Sequence, residues 1–161
     1  MSELTDHSFR LCQQLLRIDT TNPPGNEREA AQLVANELSD AGLEPVVLES
    51  EPTRANVVAR LKGTGDKPPL LLTAHLDVVE ADASKWEYPP FCGEVHDECL
   101  WGRGAIDMKN MAAMSVAIMA KLSREGIKPK RDLIFAAVAD EEAGCRQGSL
   151  WLCENLSLIH I

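Results

Sequence analysis

One histidine and four carboxylates stand where apolar runs stop. His75 and Asp77 close PLLLTAHLDVV, Asp107 sits in GRGAIDMK, and Glu141-Glu142 end LIFAAVADEE. A His, an Asp and a Glu brought together can hold a divalent cation, and a further Glu beside them can act as a base. His75 and Asp77 are two apart, so on extended backbone they share a face. A neutral imidazole ligates through one nitrogen, while a nearby carboxylate can take the other ring N–H and fix the tautomer. The plainer alternative is a histidine satisfied by hydrogen bonds at a strand end.

Asp107 follows Gly102, Arg103 and Gly104, which let the backbone approach another group closely. Its two oxygens could bridge two cations; it could also, without excluding that role, cap a helix that starts near Met108. Lys109 and Arg103 flank it and could orient it or a substrate carboxylate. Glu141 and Glu142 are adjacent acids, costly near a buried surface unless a cation compensates them. Their side chains diverge, so one can bind metal while the other takes a proton from water. With Asp140 they form an acidic triplet, which could equally be a solvated turn.

The elements needed to position these groups are legible as periodicities. Leu4 to Ile18 has near-helical apolar spacing. After the turn-rich TTNPPGNE, Asn26 and Glu29 suggest a capping box for a helix running to about Ala41, ended by Gly42. Short strand-like runs follow at Val46–Glu49 and Asn56–Leu61. Leu70–Ala74 and Asp132–Ala139 are uninterrupted apolar strands, expected to be buried on both faces. A small hairpin is expected around His96-Asp97-Glu98, a Met- and Ala-rich helix over Met108–Arg124, and a last helix over Arg146–Glu154. This alternation predicts an α/β fold with a mostly parallel central sheet flanked by helices. In such sheets ligands bind beyond the carboxyl ends of strands, where both acidic motifs fall.

Composition narrows the function. The 161 residues carry 16 basic and 25 acidic side chains, a formal net charge of −9. That balance argues against nucleic acid or an anionic membrane as partner. No apolar stretch approaches a membrane span, and the polar N-terminus lacks an apolar signal core, so a cytoplasmic location is expected. The five cysteines form no C-x-x-C pair and read as free thiols.

Taken together and in order, HLDVV, WGRGAIDMK and DEEAG resemble the M20 family of metallopeptidases and amidohydrolases. The family includes aminoacylases, acetylornithine deacetylases, succinyl-diaminopimelate desuccinylases and glutamate carboxypeptidases. TTNPPGNE and WEYPPFCGEV extend the resemblance over most of residues 1–155. It implies a zinc-peptidase-like catalytic domain with a pair of Zn2+ (or Co2+) ions. His75 would be a terminal ligand, Asp107 the bridge, and Glu142 a ligand of the other ion. Asp77 would orient a ligand, Glu141 would be the general base, and a cis peptide would follow Asp107. The implied reaction is hydrolysis of an amide bond in an N-acyl amino acid or small peptide.

Members also supply a further acidic ligand, a late histidine and an inserted lid or dimerisation domain, none of which occurs here. Residues 1–155 are therefore expected to be the N-terminal part of a catalytic domain incomplete at its C-terminus. Residues 156–161 (LSLIHI) read as a non-native, read-through tail resembling a translated sequencing-adapter end. The parent would dimerise through the missing domain. The alternatives are a non-catalytic metal- or peptide-binding homologue, or a truncated chain inactive alone.

Overall fold

The apolar run LIFAAV becomes the strand about which the sheet is assembled. In the computed structural model, which describes residues 2–156, the elements in chain order are α1 (Glu3–Leu16), α2 (Arg28–Asp40), β1 (Val46–Glu51), β2 (Arg54–Leu61), β3 (Leu70–His75), β4 (Glu94–His96), β5 (Cys99–Trp101), α3 (Lys109–Arg124), β6 (Leu133–Val138) and α4 (Ser149–Asn155). β6 lies between β2 and β3 in the sheet order β1-β2-β6-β3. Its side chains alternate between two apolar layers. Phe135 and Ala137 join Val57, Ala59 and Ala74 beneath α1, α2 and α3. Ile134, Ala136 and Val138 join Val58 and Leu152 of α4 on the other face.

The expected α/β architecture, a central sheet with flanking helices, is present, but the sheet is mixed. Only β3 and β6 run parallel; β1–β2 and β2–β6 are antiparallel. The cause is local: Pro52-Thr53 turns the chain straight back, with Thr53 at φ 70°, making a hairpin that needs no crossover helix. β3 also departs from the expected two-sided burial. It has one strand neighbour, and Leu70 and Leu71 are 41% and 47% exposed.

Three smaller expectations change. α2 starts one residue late, with Glu27 rather than Asn26 at its N-cap and no side-chain cap, because the Glu27 carboxylate is drawn to Arg54. The last helix starts at Ser149, not Arg146, since Asp140 and Cys145 both adopt positive φ and the intervening chain loops. Of the proposed tail, Leu156 closes α4 through its N–H to Leu152, and residues 157–161 lie outside those described. Among the described residues no helix is long and apolar enough to cross a membrane.

What matters for the site is the parallel pair. His75 lies opposite Val138 in register, and Leu76 N–H donates to the Val138 carbonyl at 2.8 Å. The segments leaving β3 and β6 therefore emerge at one sheet edge, carrying His75-Leu76-Asp77 and Asp140-Glu141-Glu142. α3 brings the third segment. Its buried face (Ala112, Ala113, Val116, Met119, Ala120) packs into the core, leaving Asp107 at its entry.

Candidate metal centre

His75 is 5% exposed and held at both ring nitrogens. Nδ1 lies 3.0 Å from the Asp77 carbonyl oxygen, so it is the ring's donor there. Nε2 then faces Asp107 Oδ1 at 3.0 Å and Glu141 Oε2 at 3.8 Å. One donor atom each from His75, Asp107 and Glu142 lies within 4.8 Å of the others. With Nδ1–H committed, a lone pair on Nε2 directed at carboxylates needs a positive charge between them, either a proton or a metal ion.

The electrostatics show the same shortage of positive charge. Burial opposes the His75 imidazolium, yet hydrogen bonds to Asp77 and Asp107 outweigh it and raise its pKa to about 9. Burial pushes the Glu142 carboxyl up, and Asp107, Asp77 and Glu141 push it further against the pull of His75. A cation at this point would relieve both. The donor set, one imidazole and two carboxylates, suits zinc or cobalt, so the residues fit such an ion.

Asp77 is wholly buried. Its Oδ1 accepts the Glu141 N–H at 3.1 Å, and its Oδ2 accepts the Glu142 N–H at 3.0 Å and Asn22 Nδ2–H at 2.8 Å. Burial alone would raise its pKa, but His75, Asn22 and the two amides lower it. One carboxylate thus ties the acidic turn to the end of β3.

The five residues read from the sequence come together here, while the flanking candidates go elsewhere. Asp107 does not cap α3: Met108 holds the N-cap position without a side-chain bond, and the Asp107 side chain is 76% exposed. The Asp107–Met108 peptide is cis, as are Asn22–Pro23 and Pro23–Pro24. Lys109 turns away from Asp107 into the core, where Nζ donates to the carbonyls of Leu15 and Ile18 at 3.0 and 2.8 Å. Gly104, at φ 91°, leaves room for it; a Cβ there would meet Val78 Cγ1 at 2.9 Å and Lys109 Cδ at 3.2 Å. Arg103 stacks over Trp86, 5.2 Å from the ring centroid, and donates to the Glu80 carbonyl. His7 pairs with Glu37, and His96 stacks on Tyr88.

The sequence reading missed a buried polar layer behind the site. Asp140, for which a solvated turn was the alternative, is 5% exposed; Arg54, Asn22 and Glu27 close around it. Asn56 Oδ1 accepts the Ala139 N–H and its Nδ2 donates to the Gln147 carbonyl, both at 2.9 Å. Asn56, flanked by Ala55 and Val57-Val58-Ala59 in β2, was a local signal for this layer, since a polar side chain inside a buried strand must have partners.

A model of peptidase family M20/M25/M40 matches residues 71–160. Succinyl-diaminopimelate desuccinylase of Methylobacterium radiotolerans is 36% identical over 154 residues, 92% of this chain and 38% of that protein. N-formyl-4-amino-5-aminomethyl-2-methylpyrimidine deformylase of Halalkalibacterium halodurans is 35% identical over 149 residues, 90% of this chain and 35% of that protein. Among solved structures, the M20 family metallo-carboxypeptidase Sso-CP2 from Sulfolobus solfataricus superposes with a TM-score of 0.76 at 20% identity, over 89% of this chain and 32% of that one. The chain thus spans well under half the length of these relatives.

Proposed function

Because this chain belongs to peptidase family M20/M25/M40, we propose that it carries the metal-binding and general-base residues of a hydrolase acting on amide bonds of N-acyl amino acids or small peptides. The observation that carries this reading is the convergence of His75, Asp107 and Glu142 beside Glu141. The names of the two curated relatives, a desuccinylase and a deformylase, support removal of an acyl group from an amine. Free cysteines suit a cytoplasmic location. Residues 1–155 are read as the N-terminal part of the catalytic domain and 156–161 as a non-native tail.

His75, Asp107 and Glu142 would hold the zinc ions, with Asp107 as the ligand common to both. A bound divalent cation polarises a carbonyl and makes water a stronger acid. The remaining chemistry belongs to the side chains. The Asp77 carbonyl holds His75 Nδ1–H, which presents Nε2 as a ligand, and the Asp77 carboxylate fixes the amides of both glutamates. Glu141, its side chain 51% exposed, takes the proton from the attacking water. It then returns that proton to the departing amine nitrogen. A non-catalytic binder would have no use for a base at this position.

With three donors grouped among the described residues, the 161-residue chain alone is expected to bind metal weakly and to lack turnover. The pH dependence of that binding tests the site. A protonated imidazole cannot ligate, and the His75 pKa near 9 keeps it protonated at neutral pH in metal-stripped protein. Zinc must therefore displace about one proton, and affinity should rise about tenfold per pH unit between about pH 6 and 8. Calorimetric titrations in buffers of different protonation enthalpy measure this. Binding without proton release and independent of pH would contradict the site.

A further inference from the structure

Behind the acidic turn, Arg54 at the start of β2 is buried, its side chain 10% exposed, between acids from two segments, Glu27 and Asp140. Nε and Nη2 form a fork on Glu27, at 2.7 Å to Oε2 and 2.9 Å to Oε1. Nη2 also reaches Asp140 Oδ1 at 3.0 Å, and Nη1 donates to the Pro24 carbonyl at 2.9 Å. Asn22 Nδ2 then links Asp140 Oδ1, at 3.0 Å, to Asp77 Oδ2, at 2.8 Å. Asp77 in turn accepts the amides of Glu141 and Glu142. On its other side Asp140 Oδ2 accepts the Gln147 N–H at 3.1 Å, which closes the loop after the acidic pair.

The surroundings are shaped for the guanidinium. Gly25 has φ 86°, and a Cβ there would lie 2.3 Å from Arg54 Cζ and Nε. Asp140 sits at φ 63°, a conformation uncommon for a residue with a side chain. Its carboxylate is held by Arg54, Asn22 and the Gln147 amide. A planar fork can hold Glu27 bidentately while also reaching Asp140, a geometry that a lysine ammonium, a single point charge on a flexible stem, does not reproduce.

We propose that Arg54 is a positioning residue for the turn bearing Glu141 and Glu142. It touches neither glutamate. It fixes Asp140 against α2, and Asp140, Asn22 and Asp77 pass that placement to the two amides. The assignment rests on the reading of Glu141 as base and Glu142 as ligand.

Amide hydrogen exchange on the 161-residue chain tests it, comparing wild type with Arg54→Met and Arg54→Lys. In Arg54→Met the amides of Glu141, Glu142 and Gln147 should exchange at least about tenfold faster, while those of Phe135 and Ala136 in β6 keep wild-type rates. Arg54→Lys should move the same three amides in the same direction by less, and it decides the matter alone if Arg54→Met does not fold. Unchanged exchange at the three amides would overturn the proposal. So would equal acceleration in β6, which marks a purely structural role. Cobalt(II) binding to the wild-type chain tests the underlying site separately: its absence would remove the metal reading, while the exchange pattern still decides what Arg54 holds.

Discussion

Replacing Glu141 by alanine in the full-length hydrolase is expected to cut turnover by roughly 10²–10⁴-fold while leaving metal affinity nearly unchanged. Its carboxylate is not among the three grouped donors, and it approaches His75 Nε2 only at 3.8 Å. Because the side chain is half exposed, truncation leaves no buried partner stranded, so stability should hold. The two readouts separate a base from a ligand: a ligand would lose both metal and rate, and a base only rate. Steady-state kinetics beside a metal titration make the comparison. Turnover within about threefold of wild type would remove Glu141 from the proton transfer.

Asp77→Asn should be the most damaging of the near-isosteric changes. Both Asp77 oxygens accept: Oδ1 from the Glu141 amide, and Oδ2 from the Glu142 amide and Asn22. An asparagine must place its NH2 against one of these donors, which strands buried N–H groups at about 1–3 kcal/mol each. The expected loss is about 2–4 kcal/mol of folding stability, measured by denaturant unfolding. Metal affinity should fall roughly 10–100-fold, as it does when a partner that orients ligands is lost. The pH dependence follows from the lowered Asp77 pKa. Its stabilisation is complete above the ordinary carboxylate value of about 4 and fades as the pH falls through the lower folded value. Asp77→Asn should abolish that part of the acid dependence. Wild-type stability and affinity in the variant would contradict the central place given to Asp77.

The grouping of His75, Asp107 and Glu142 was legible because these residues sit beside the strongest local signals. An apolar run that stops at a histidine or a pair of acids marks a strand end, and strand ends are where such sheets bind ligands. The layer behind it was not legible. Arg54, Asn22 and Glu27 look like ordinary surface residues, and they are buried only because the 20–27 segment folds across the sheet edge. Their bonds span 27 to 118 residues in sequence, beyond any local pattern. A solvated turn was the alternative for Asp140 and its acidic neighbours, and Arg54, 86 residues earlier, buries Asp140 instead. Lys109 shows the same limit: a lysine beside a candidate ligand suggests substrate binding, but its ammonium secures the end of α1. The mostly parallel sheet was inferred from helix–strand alternation, which says nothing of the tight Pro52-Thr53 turn that makes β1 and β2 antiparallel.

Whether His75, Asp107 and Glu142 jointly hold a cation is tested most directly by titrating cobalt(II) into metal-stripped wild type and His75→Ala, reading the visible absorption of the bound ion. Wild type should give saturable bands, and His75→Ala should need roughly 100-fold more cobalt, since losing a ligand costs at least as much as losing a partner that orients one. Superimposable titration curves for the two proteins would show that the histidine takes no part in holding the ion.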